Sequence, residues 1–287
     1  MLAMVFGLFA ALCWSLHDLV ARRYASEIGP NRMAVATFLA GGILLLGVVG
    51  WHGTILSADW PTLGIAGVLG VIYGFAIAAL FKAYSLAPLS IVGPASSGYP
   101  ALVVFWGIIG GLTPSPTQYL AIGSILIGMV VVGRFGPNDR DLPTIDRGKI
   151  SQLIFYCVVA EVCFAASVVL GQKIAPRIGE FEVTFLSRFP AALVIMPFVL
   201  RETPLAPRIS AKAWIGIVFM AALDVAAVSG INYMGVLPNK ELGAMGISAY
   251  GAIATLLAML ILKEHTTIWQ WFGIAMISAG VAVLGTG

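Results

Sequence analysis

The chain has 287 residues, of which 60% are apolar or aromatic (Ala, Val, Ile, Leu, Met, Phe, Trp, Tyr, Cys) and only 10% are charged, against about a quarter charged in an average soluble domain. A single soluble core stops growing near about 250–300 residues and could not hide so much apolar side chain, whereas a bilayer can, so disorder, a soluble fold and large soluble domains are all excluded. A net charge of +3, from 16 Lys plus Arg against 13 Asp plus Glu with no basic run, excludes a nucleic-acid surface.

At about 20 residues per spanning helix, apolar runs separated by charges and by Pro or Gly turns predict ten spans. They lie at about 2–20, 33–51, 62–81, 89–110, 117–134, 151–171, 183–200, 213–232, 242–262 and 268–285. The first begins at Leu2 without a basic leader or a small-residue cleavage site and is expected to be a mature helix. It carries Trp14, His17 and Asp18 on one face. The fourth contains Gly93-Pro94-Ala95-Ser96-Ser97-Gly98-Tyr99-Pro100, and the ninth contains the related run Gly243-Ala244-Met245-Gly246-Ile247-Ser248-Ala249-Tyr250-Gly251. Pro and Gly this dense loosen helical hydrogen bonding, and irregular helix at membrane depth belongs beside a cavity. Close packing through small residues accounts for part of the same composition. The sixth span carries Glu161, the seventh Arg188 just before Pro190, and the eighth Asp224. Cys13, Cys157 and Cys163 have no metal-ligand or disulfide spacing and read as small core residues. Trp51, Trp60, Trp106, Trp214, Trp269 and Trp271 lie near span ends, as an interfacial belt would place them.

The one long loop, residues 135–149, divides the chain in two. At an offset of 150, Trp14 aligns with Phe164, Gly29 with Gly179, Pro88 with Pro238, Gly93 with Gly243 and Gly123 with Gly273. We read a duplicated five-helix unit: residues 1–135, a connecting loop at 136–150, and residues 151–287. Five is odd, so the second unit enters the membrane from the opposite side. The predicted fold class is an all-α polytopic membrane protein with ten transmembrane helices in two inverted repeats, an architecture common among secondary transporters. Loops after the odd-numbered spans carry 12 Lys or Arg (Arg22, Arg23, Arg32, Lys82, Arg134, Arg140, Arg147, Lys149, Arg201, Arg208, Lys212, Lys263) against three elsewhere (Lys173, Arg177, Lys240). By the positive-inside rule this puts both termini outside the cytoplasm.

The segment Leu262-Lys263-Glu264-His265-Thr266-Thr267, followed by Trp269-Gln270, Gly273 and Gly280, resembles the end of the repeat unit in EamA-type transporters of the drug/metabolite transporter superfamily. Trp14-Ser15, Tyr84 to Pro88 and Tyr99-Pro100 also fit that pattern, and the resemblance covers the whole chain as two copies. The chain departs from it at Gly111-Leu112-Thr113-Pro114, where the first repeat should carry an acidic residue, and at Phe164 in place of Trp14. The resemblance implies ten helices, a central cavity formed mainly by helices 1, 3, 4, 6, 8 and 9, a bacterial inner-membrane location, and cytoplasmic termini. The last of these opposes the charge count and leaves sidedness open.

Of the 29 charged residues, Asp18, Glu161, Arg188 and Asp224 fall clearly within spans, where an ionised side chain costs from about 2.5 kcal/mol upward and marks a functional site by default. Glu161 or Asp224 could exchange a proton as the cavity alternates, and proton coupling is an expectation; ion pairing with Arg188 is the structural alternative. Arg188 could receive a substrate carboxylate, or pair with Glu182 or another acid. Asp18 could serve a ligand or pair with Arg22 four residues on. The candidate substrate-binding set is Trp14, His17, Ser97, Tyr99, Glu161, Arg188, Asp224 and Tyr250, with Tyr73, Tyr84, Asn232 and Tyr233 as weaker candidates. No catalytic residue, metal or cofactor is expected.

The expected function is a secondary transporter exporting or exchanging a small polar or amphipathic metabolite, an amino acid on family grounds, by alternating access, as a monomer or homodimer. An intramembrane enzyme is one alternative, but Ser97 and His17 are its only nucleophile–base candidates and no nucleophile elbow surrounds Ser97. A channel is another, but scattered single charges suit alternating access better than a charge-ringed pore.

Overall fold

The computed structural model describes residues 1–86, 92, 98–135, 147–201, 209–262 and 267–286. These residues are almost entirely helical, and no strand occurs among them. The helices are α1 (Leu2–Ile28), α2 (Pro30–His52), α3 (Trp60–Tyr84), α4 (Tyr99–Ile109), α5 (Pro116–Arg134), α6 (Arg147–Ile178), α7 (Glu180–Val199), α8 (Ala211–Tyr233), α9 (Lys240–Ala244), α10 (Tyr250–Leu262) and α11 (Ile268–Thr286). Among the described residues, eight stretches are long and apolar enough to cross a bilayer, and Tyr99–Ile109 and Pro116–Val132 are shorter apolar helices. The chain is therefore a polytopic helical membrane protein.

Local chemistry sets the helix ends. Gly29 and Gly179, at φ 88 and 99, occupy backbone that other residues adopt with strain, so the chain reverses sharply before α2 and α7. Ser115 and Gln118 form a capping box at the start of α5, and the Ser210 hydroxyl accepts the Ala213 N–H at the start of α8. Two helices outrun the predicted spans: α1 continues past residue 20 to Ile28, and α6 runs from Arg147 to Ile178. Charged residues with good helix propensity carry a helix beyond its apolar window, because the backbone needs no lipid to stay helical.

The predicted ninth span is not one helix. α9 gives way to a 3-10 turn over Met245–Ala249, and α10 resumes at Tyr250. Glycines at this break let α1 lie directly on its backbone. A Cβ on Gly243 would stand 2.5 Å from the Ala3 Cβ, and one on Gly246 would stand 2.9 Å from the Met4 carbonyl oxygen. Small residues permit this approach and the 3-10 segment absorbs the bend.

Packing is symmetric under exchange of the two halves. If α9 and α10 together count as the ninth element and α11 as the tenth, the main contacts map onto one another when every element is replaced by the one five places away, the contact of α6 with α8 being an exception. α1 packs on α8 as α6 packs on α3; α2 meets α8 as α7 meets α3; and α1 meets α10 as α6 meets α4. The self-paired contacts are α2 with α7, α4 with α9 and α5 with α11. Gly128 and Gly273 face each other in the last pair: a Cβ on either would stand 2.8 or 2.7 Å from the other's carbonyl oxygen. Gly123, by contrast, has open space where a Cβ would go, so only the later part of its glycine stretch is a helix contact. The six tryptophans expected at an interface all lie exposed, from 43% at Trp271 to 89% at Trp51.

Candidate solute site between the two halves

Arg188 and Asp224 form the buried centre of the bundle. Arg188 Nη1 lies 2.7 Å from Asp224 Oδ2, and both residues are almost wholly withdrawn from solvent, at 0% and 5% exposure. The other carboxylate oxygen accepts the Trp14 indole N–H at 3.0 Å and the Tyr73 hydroxyl at 3.4 Å. The guanidinium carbon stands 5.5 Å from the ring centre of Phe38 and 5.9 Å from that of Tyr73, in cation–π range. A charge pair offsets its desolvation only when geometry and further hydrogen bonds are good. Here both carboxylate oxygens are engaged and two aromatic rings stand within cation–π range of the guanidinium, while Arg188 Nε has no hydrogen-bond partner among the described residues. α1 and α3 from one half are thereby tied to α7 and α8 from the other.

A second polar cluster is only half-buried. His17 Nδ1 lies 2.9 Å from Asp18 Oδ1, with side-chain exposures of 21% and 36%, and the Tyr250 hydroxyl donates to Asp18 Oδ2. The Ser15 hydroxyl reaches the Tyr250 carbonyl at 3.2 Å. The break in the ninth element starts α10 at Tyr250, alongside the polar face of α1.

Glu161, also half-buried, accepts the backbone N–H of Gly98 at 3.1 Å. A Cβ on Gly98 would stand 3.0 Å from Glu161 Oε2, so glycine lets the carboxylate approach the start of α4. Behind it runs a series of rings: Tyr99 to Phe164 at 5.5 Å, Phe164 to Tyr73 at 5.9 Å, and Tyr73 to Phe38 at 5.6 Å. All four are buried. Tyr99 Oη finds no hydrogen-bond partner among the described residues. Between α7 and α8, the Thr184 hydroxyl accepts from Ser229 Oγ and Asn232 Nδ2, both at 3.0 Å.

The sequence candidates are thus divided among environments. Trp14, Arg188 and Asp224 meet in the buried centre; His17 and Tyr250 meet at Asp18; Glu161 meets the start of α4; and Tyr99 lies in the ring series. Ser97 lies outside the described residues, as do Lys263, Glu264 and His265 of the motif after α10. Of the alternatives left open, Asp224 takes Arg188 while Glu182 does not. Asp18 pairs with His17 and Tyr250; the Arg22 side chain is outside the described residues. Two further participants lie outside that candidate set. Tyr73, a weaker candidate, bonds Asp224 and meets Phe164 edge-on. Glu182, which falls at a predicted span edge, is 1% exposed and receives His52 Nδ1 at 2.8 Å and the Thr54 hydroxyl at 2.9 Å. Its signal was the repeat-related Gly179 three residues earlier, which starts α7 early enough to bury position 182. Among the described residues, no group of three His, Cys, Asp or Glu could hold a metal ion.

No curated protein matches the chain significantly. A crystal structure of another protein superposes with a TM-score of 0.80 at 22% identity, over 98% of this chain and 95% of that one, which speaks to the fold alone. The sequence profile of the EamA-like transporter family matches residues 1–134 and matches again at residues 152–286. With two copies of that unit accounting for nearly its whole length, the chain belongs to the EamA-like transporter family of the drug/metabolite transporter superfamily.

Proposed function

We propose that the protein is a secondary transporter of the bacterial inner membrane that exports or exchanges a small polar or amphipathic metabolite, an amino acid foremost. It works by alternating access of two inverted five-helix repeats, ten spans in all. The observation that carries this reading is the exchange symmetry of the packing around one polar interior: helices from both halves supply Trp14, Tyr73, Arg188 and Asp224 to a single cluster. Two exchangeable halves around one site provide two arrangements of similar energy, one open to each side.

Within this reading the groups have different tasks. Arg188 and Asp224, neutralised by each other, hold α1, α3, α7 and α8 together in the arrangement described here. The half-buried carboxyls Asp18 and Glu161 receive the ammonium end of the substrate, with His17 and Tyr250 setting the orientation of Asp18. Trp14 and Tyr99 border the apolar part, Ser97 remains a candidate from the sequence alone, and Glu161 is the group that exchanges a proton for uphill movement. Any substrate carboxylate must compete with Asp224 for Arg188, so access to Arg188 requires the rearrangement itself.

Counterflow in sealed vesicles tests this. Purified protein loaded with unlabelled amino acid should accumulate labelled amino acid transiently and saturably, and Glu161→Gln should abolish dependence on a proton gradient while leaving exchange down a solute gradient. Ohmic current without saturation would favour a channel, and product formation without exchange would favour an enzyme.

A further inference from the structure

A cleft of about 520 Å³ lies between the end of α4, the end of α6 and the start of α9, within the range of about 300–1,000 Å³ typical of small-molecule sites. None of the residues that bind Asp224, Asp18 or Glu161 lines it. Its charged groups are Lys173, Lys240 and Glu241. Lys173 is exposed and the other two are half-buried, and none of the three makes an ion pair or side-chain hydrogen bond among the described residues. Glu241 is set by close packing: a Cβ on Gly107 would stand 2.6 Å from Glu241 Cγ.

Apart from Gln172, the other side chains that line the cleft are apolar, and it meets a lipid-facing flank. Trp106 forms one wall and is 60% exposed; its neighbours Phe105 and Ile109 are 60% and 64% exposed. In a bilayer that exposure is to acyl chains. The charged groups stand where α6 ends and α9 begins, the level at which lysine reaches toward headgroups and tryptophan settles.

We propose that this cleft binds a phospholipid whose headgroup carries both a phosphate and a primary ammonium, as an ethanolamine phospholipid does. The phosphate lies between Lys173 and Lys240, the ammonium donates to Glu241, and the acyl chains descend past Trp106 and Ile109. A headgroup without the ammonium would bring its phosphate to an uncompensated Glu241, and a trimethylated ammonium has no N–H to give it. The occupant touches α4 of the first half and α6 and α9 of the second, so it favours the arrangement that keeps these ends together.

Melting of the full-length protein in delipidated detergent micelles tests the proposal, with native mass spectrometry counting retained lipid. Ethanolamine phospholipid should raise the melting temperature and stay bound more strongly than glycerol or choline phospholipids of the same chain length. Lys173→Ala with Lys240→Ala should remove this stabilisation without changing the lipid-free melt, since neither lysine has an ion-pair partner among the described residues; if that pair misfolds, the two glutamine variants carry the same test. Glu241→Gln should cut the preference for ethanolamine over glycerol lipid by about tenfold, the worth of one charge-assisted hydrogen bond. Equal effects of all three lipids, retention of ethanolamine lipid by the lysine variants, or equal stabilisation by soluble phosphoethanolamine would each overturn it.

Discussion

Two acidic clusters sit within the same bundle and have opposite surroundings. Asp224 is 5% exposed, with Arg188 on one oxygen and Trp14 and Tyr73 on the other. Asp18 keeps 36% of its side chain exposed, and its partners are a histidine on its own helix and one tyrosine from α10. Both aspartates interrupt apolar helices, and insertion costs alone would rank them alike. Their partners separate them. A desolvated charge pair resists removal of either member, whereas a half-exposed acid can change partners.

That contrast can be broken most directly at Asp224. Asp224→Ala leaves Arg188 buried and unpaired, and should cost about 3–5 kcal/mol in denaturant or thermal melts of the purified protein. Arg188→Met combined with Asp224→Leu should recover most of that loss, because apolar replacements remove both charges together. If the single and double variants melt alike, the pair is not the lock described here. The contact between α5 and α11 is next in size: Gly128→Ala drives a Cβ to 2.8 Å from the Gly273 carbonyl oxygen and should cost about 1–3 kcal/mol by overpacking. Melting temperature against wild type reads this without any transport assay.

The half-buried acids should behave differently. Asp18→Asn and Glu161→Gln are expected to change stability by no more than about 1 kcal/mol; Asp18→Asn should nevertheless reduce counterflow at least tenfold, equivalent to about 1.4 kcal/mol, whereas Glu161→Gln should keep counterflow and lose only the response to a proton gradient. A large stability loss with unchanged exchange would reverse the roles given to the two clusters. The smallest effect belongs to His52→Ala, at about 0.2–1 kcal/mol by melting, because 42% of that side chain is exposed and solvent screens its pairing with Glu182.

Much of the architecture was legible along the chain. Apolar runs of bilayer length can only be helices in lipid, since every backbone polar group must be satisfied within its own segment. The offset of 150 residues between Gly29 and Gly179 anticipated two positive-φ turns that start α2 and α7 alike. The glycine-rich run from 243 to 251 anticipated irregular helix, and the 3-10 turn stands there. Helix ends were less legible, because α1 and α6 extend through charged residues that hydropathy assigns to loops. Among site residues, four intramembrane charges were visible as expensive insertions, but Glu182 was hidden at a span edge. The distinction between Tyr73 as an interfacial anchor and as a ligand of Asp224 was not encoded in its spacing.

The sequence by itself determined that this is a helical membrane protein of two related halves, since composition and repeat offset are one-dimensional properties that only a bilayer and a duplicated unit satisfy. Which acid meets the arginine was decided by tertiary structure alone. Asp224 and Glu161 are equally apolar in their sequence surroundings, and only the crossing of α1, α3, α7 and α8 brings Arg188, Trp14 and Tyr73 onto one of them and leaves the other beside a glycine N–H. Pairing across 36, 151 and 210 residues is set by how helix surfaces fit, a property of three-dimensional packing that no local pattern records.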